Sequence, residues 1–181
     1  MFFLIIVAAL FLSMVVQHFL GAVPPWEARV FIMPIVFLYG ALSFSTGGML
    51  FLAFVGGVMW DLLHSQWIED TVELGVGWSV IVYAVLGALM SGLRPLFIRK
   101  RWEVHCLFSG FATAVLVAAE YLMISLRREP LRFEFSPLIW GRIFGAGVVA
   151  LAVSPLIFFV LSYIARLIGH QHYRPEREVE E

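Results

Sequence analysis

One pattern recurs six times along this chain: a run of apolar residues of helical length, closed by a short polar or charged punctuation. A helix needs about 20 apolar residues to cross a hydrocarbon core roughly 30 Å thick. A chain that repeats such runs cannot hide them from water in one small core. Of 181 residues, 61% are hydrophobic and only 14% charged, with a mean hydropathy of +0.92. Soluble domains run near about 45–50% apolar and about 25% charged. Lipid is therefore the expected solvent. The net charge of −1 excludes a broad basic surface for nucleic acid. The single cysteine, Cys106, excludes an intrachain disulfide framework or a multi-cysteine metal site.

The expected spans are residues 2–23, 26–44, 49–67, 76–93, 104–126 and 138–168. The first lacks a basic leader and a good cleavage site, so it reads as a retained span rather than a signal peptide. Pro24-Pro25 should end it, and Trp26-Glu27 should open the second helix with proline and an acid at favoured start positions. Ser45-Thr46-Gly47-Gly48 is a tight turn. Counted from Val30 to Leu63, the second and third spans barely cross, which leaves a re-entrant hairpin as the competing reading. The sixth run exceeds one crossing and should tilt or emerge at the interface. The expected fold is all-α: a polytopic membrane bundle of six helices over residues 1–168, with a polar tail at 169–181.

Six spans put both termini on one side. That side carries Arg94, Arg99, Lys100, Arg101, Arg166, Arg174 and Arg177; the other has Arg29, Arg127, Arg128, Arg132 and Arg142, together with the acidic loop Glu69, Asp70 and Glu73. The basic excess places both termini in the cytoplasm.

Ionisable groups inside spans are the first candidates for function, because a charge at the bilayer centre costs about 2.5–3.5 kcal/mol on insertion scales. His18, Asp61, Glu120 and Arg142 qualify, and all fall toward the outer ends of their helices. Asp61 and His64 are one turn apart and share a face. Glu120 and Arg142 sit on consecutive antiparallel helices and are expected to pair. Such groups either snorkel and lock helices together or form a partner or ligand site, and both readings stand. Gly110, Ala114 and Ala118, the pair Gly141 and Gly145, and Ala84, Ala88 and Gly92 form ridges at four-residue spacing, suited to close helix packing. Gly56-Gly57 should loosen the third span or admit a neighbour. The tryptophans, Trp26, Trp60, Trp67, Trp78, Trp102 and Trp140, fall near span ends as an interfacial belt.

HExxH, GxSxG and a phosphate-cradling glycine loop are all missing from the sequence, so an enzyme is not expected, nor a cofactor or metal. His105-Cys106 at a cytoplasmic edge lacks a third ligand, and His170 and His172 lie in the tail.

Between Pro34 and Pro95 the chain resembles the rod shape-determining protein MreD family. A short second span leads to a glycine-rich third span ending in Gly57-Val-Met-Trp-Asp61; glycines at 75 and 77 follow, then a fourth span closing on Arg94-Pro95. Residues 66–74 depart from the family's shorter serine- and glycine-containing turn. The resemblance implies a non-enzymatic scaffold in the bacterial inner membrane that serves cell shape and peptidoglycan elongation. It would associate with the bitopic protein MreC and, through it, with the wall polymerase and transpeptidase. The family's fold is similar to the substrate-binding subunits of energy-coupling-factor transporters. That supplies the rival: a small-molecule pocket lined by His18, Asp61 and Glu120. Under the scaffold reading, Asp61 either caps backbone N–H groups of the following loop or docks a basic residue of the partner, and docking is preferred because a neutral cap would serve in lipid.

The orientation is directly testable. Single cysteines at Asp70 and at Arg99, in a Cys106→Ser background, should label from opposite sides with an impermeant thiol reagent. Outside labelling at position 99 would reverse the topology.

Overall fold

The structure, a computed structural model, describes residues 1–24, 26–63, 66–68, 71–73, 77–95, 102–127 and 136–169. Its helices are α1 (Phe2–Phe19), α2 (Met33–Ser43), α3 (Thr46–Leu63), α4 (Trp78–Gly92), α5 (Trp102–Arg127) and α6 (Pro137–Leu167). Three of them, α1, α5 and α6, are long and apolar enough to cross a membrane; α2, α3 and α4 are shorter apolar helices. The fold is all-helical apart from one small ladder between α3 and α4, where β1 (Gln66–Ile68) pairs antiparallel with β2 (Thr71–Glu73), Gln66 opposite Glu73. His64, Gly75, Glu69, Asp70, the basic cluster at 99–101, Arg128, Arg132 and the tail beyond Gly169 lie outside the described residues.

The side chains are distributed as lipid demands. On α5, Leu107, Phe111, Leu122 and Leu126 face outward, while His105, Ser109 and Thr113, one turn apart, are fully buried. Thr113 Oγ1 donates to the Ser109 carbonyl at 2.8 Å, and Ser109 Oγ lies 3.4 Å from His105 Nδ1. His105 packs between Tyr39 and Phe158. It belongs to the core, not to the interfacial edge that the sequence suggests.

The centre of the bundle is α2, which touches every other helix and has all its residues buried. At 11 residues it rises about 16 Å, half a hydrocarbon core. The expected helix start at Trp26-Glu27 is overturned. α1 ends at Phe19, and the chain then runs without helix to Ile32, closed into a small loop by a Val23–Ala28 bridge. The local proline signal loses because α2 finds its start elsewhere. Gln17, buried on α1, turns its Oε1 toward the N–H groups of Ile32 and Met33, which donate at 3.2 and 3.3 Å. At the other end the Arg94 guanidinium donates to the carbonyls of Ala41, at 2.8 Å, and Phe44. Both ends of a helix with no access to water are thus met by side chains from other parts of the bundle. The α2–α3 turn lies level with the first turn of α1, where Phe44 packs on Phe2 and Phe3. The α2–α3 pair therefore reaches the same end of the bundle at which α1 begins, instead of turning back halfway.

The most extensive interface joins α5 and α6, where Gly110 and Gly147 lie face to face; a Cβ on either would come within 2.9 Å of the other's carbonyl oxygen. α6 runs unbroken over 31 residues although Pro155 sits inside it. Proline offers no N–H to the carbonyl four residues back, that of Leu151. Ser154 Oγ donates to that carbonyl instead, at 3.3 Å. Ser154→Ala should therefore destabilise the protein by about 1 kcal/mol, read as a lower melting temperature in detergent. The double change Ser154→Ala with Pro155→Ala should recover most of the loss, because the second substitution restores the missing N–H. Equal destabilisation of the single and double variants would refute the repair.

Candidate functional site

Helix alternation gathers the intramembrane candidates at one end of the bundle: the C-terminal ends of α1, α3 and α5, the N-terminal ends of α2, α4 and α6, and the loop from Leu20 to Ile32. Contacts across this end are specific. Phe31 packs on Trp60, with ring centroids 5.0 Å apart, and Trp60 packs on Tyr83. Trp60 is fully buried, so it is a core residue and not part of the interfacial belt; Trp26, Trp78, Trp102 and Trp140 are exposed as expected.

Asp61 is half-buried at the end of α3, and its Oδ2 accepts the N–H of Gly77 at 2.8 Å. Gly77 is the residue before α4, held at φ +105°, a conformation glycine adopts without strain. The carboxylate thus fixes the start of α4 and sits at the positive end of its dipole. This is a backbone-capping role, exercised among the described residues on the start of α4. One turn earlier, Gly57 lets α3 and α4 touch: a Cβ there would lie 2.4–2.5 Å from the backbone of Val80. Gly56 faces Met33 and Tyr83. Tyr83 is fully buried, its hydroxyl has no hydrogen-bond partner among the described residues, and the Asp61 and Glu120 carboxylates lie within electrostatic reach of it. No sequence motif singles out this tyrosine.

Arg142 does not take Glu120 as its partner. Its Nη2 donates to Glu27 Oε2 at 2.8 Å, and both side chains are more than half exposed. The reason lies in the loop. Trp26 and Ala28 close over Gly145, where a Cβ would come within 2.7 Å of Trp26 and 2.9 Å of Ala28. That contact carries Glu27 across the start of α6 in a left-handed conformation, φ 48°, costly for a residue with a side chain. Gly145 thus receives a loop, not a helix, and Gly141 has only open contact at 4.0 Å with Trp26. An exposed pair such as Glu27–Arg142 is worth about 0.2–1 kcal/mol. Gly110 and Ala114 do pack as a ridge, against Gly147. On α4, by contrast, Ala88 and Gly92 do not face the core, and Gly87 makes the packing contact with Met49 and Phe37.

His18 is exposed at the end of α1 and lines a cleft of about 310 Å³ with Gln17, Gly21, Ala22 and Arg29 among its walls. Neither Asp61 nor Glu120 reaches it. Of the two residues that secure α2, Arg94 closes the fourth span of the resemblance, whereas Gln17 carries no motif. Its only signal is a lone amide in an apolar run.

The α3–α4 contact gives a sharp test. Gly57→Ala should cost about 1–3 kcal/mol, the range for overpacking, whereas Gly92→Ala, with nothing within 4 Å, should be neutral in the same melting assay. Equal melting temperatures for the two variants would mean that α3 and α4 are not in backbone contact. Comparison with family models, curated proteins and solved structures finds no match to this chain.

Proposed function

We propose that the protein is a multi-pass scaffold of the MreD kind, in the bacterial cytoplasmic membrane with both termini in the cytoplasm. In this role it docks the single helix of an MreC-like partner and, through it, helps position the wall polymerase and transpeptidase. One observation carries this reading. The residues on which the resemblance rests act together as a frame: Gly57 brings α3 onto α4, Asp61 fixes Gly77 at the start of α4, and Arg94 secures the end of α2. A second feature suits docking. Asp61 is only partly buried at the end of α3, so its carboxylate can also meet a cationic side chain arriving from a neighbour. The small residues Ala88 and Gly92, on the outer side of α4, leave room for a helix to approach closely. The rival, a substrate-binding transporter subunit, asks for one pocket lined by His18, Asp61 and Glu120. The cleft at His18 contains neither carboxylate, and the scaffold is the better supported of the two.

Asp61 separates framework from docking. Asp61→Asn keeps an oxygen that accepts the Gly77 N–H, so folded yield and melting temperature should hold. Loss of the charge should nevertheless reduce co-purification of an MreC-like bitopic protein, and rod-shaped cells relying on this copy should round up. Asp61→Ala should lower the yield as well. Undiminished partner recovery and normal cell shape in the Asn variant would remove the docking role.

A further inference from the structure

We infer that the cleft at the end of α1 is a binding site for a phosphate ester, with the headgroup of an anionic phospholipid as its ligand. Gln17 starts the argument. Its Oε1 accepts two backbone N–H groups at the head of α2, and this fixes the orientation of the amide, since the opposite orientation would set NH₂ against two donors. The Nε2 group therefore points away from α2. It is a donor on a side chain only 7% exposed, and no acceptor meets it among the described residues. A buried donor without an acceptor is costly in any protein and invites one from outside.

Gln17 also lines the cleft, so its unsatisfied amide lies just behind the cleft wall. Two further donors border it, the His18 ring and the Arg29 guanidinium; both are exposed, and neither is held by a salt bridge or hydrogen bond among the described residues. The described walls contain no carboxylate, and the nearest acid in sequence, Glu27, is committed to Arg142. Two exposed donors, one of them always cationic, beside the Gln17 amide and with no carboxylate among the described walls, describe a receptor for a compact anion with several oxygens. The volume, about 310 Å³, is at the small end for ligand sites and suits a headgroup, not a bulky metabolite.

Position selects the lipid. α1 is 18 residues long, about 27 Å, so a helix that starts at one boundary of the hydrocarbon ends near the other. That places His18 at the depth of the phosphates. Leu20, in the cleft wall, and its neighbour Phe19 are both exposed and offer apolar surface for acyl chains.

The test uses delipidated full-length protein in neutral detergent. Native mass spectrometry reads binding of phosphatidylglycerol, of diacylglycerol with the same chains, and of inorganic phosphate. Phosphatidylglycerol should bind and diacylglycerol should not. Arg29→Gln should weaken lipid binding about tenfold or more, the effect of losing one charge-assisted contact. Gln17→Glu keeps an oxygen for the two N–H groups but replaces the donor with a negative charge, and should weaken it at least as much. Arg166→Gln, at the far end of α6, should change nothing. Inorganic phosphate that binds with the same dependence on Arg29 and displaces the lipid would uphold the site and make a soluble phosphate ester its ligand. Unchanged phosphatidylglycerol binding in Arg29→Gln, or equal binding of diacylglycerol, would overturn the inference. Arg29 is a surface residue, so this outcome is readable even if Gln17→Glu fails to fold.

Discussion

The hydrogen-bonding demand of α2 is the constraint around which this bundle is built. A helix leaves backbone groups unpaired at each end, and where water is excluded each such group costs several kcal/mol. A helix that crosses the hydrocarbon can leave those groups in the interface. α2 cannot, because it is 11 residues long and every one is covered by neighbouring helices. Gln17 from the first helix and Arg94 from beyond the fourth therefore reach in to complete it. Their positions tie α1 and α4 to a common centre, and the remaining helices close around that centre.

Much of this architecture was legible in the sequence, and the reason is general. Apolar runs of helical length have one stable solution in lipid, so the six helices follow from hydropathy alone. The boundaries fail where a distant residue decides them. Pro24, Pro25 and Glu27 signal a helix start by every local rule, yet α2 begins at Met33, where the Gln17 carbonyl oxygen waits. No pattern within residues 24–33 could reveal this, because the deciding group lies on another helix.

The candidate site was legible by residue but not by partnership. Asp61, Glu120, Arg142 and His18 do gather at one end, as alternation of helix direction requires. Sequence neighbourhood paired Arg142 with Glu120, whereas the loop packed on Gly145 delivers Glu27 instead. Small residues behaved similarly. Four-residue spacing identified Gly110 as a contact but could not distinguish the inward Gly87 from its neighbour Ala88 on α4. Both fit a close-packing ridge, and only the neighbouring side chains Met49 and Phe37 decide which one is used.

The enclosed position of α2 also has a consequence for biosynthesis. The ribosome makes this helix second, but the groups that complete it arrive at different times. Gln17 is already present, whereas Arg94 leaves the ribosome about 50 residues after Phe44, a delay on the order of seconds at ordinary synthesis rates. During that interval the carbonyls of Ala41 and Phe44 lack the guanidinium, and neither α5 nor α6 exists to cover the helix. A nascent chain halted before Arg94 therefore presents an incompletely bonded apolar segment. The last hydrogen bonds of the centre thus wait for a residue made after four of the six helices.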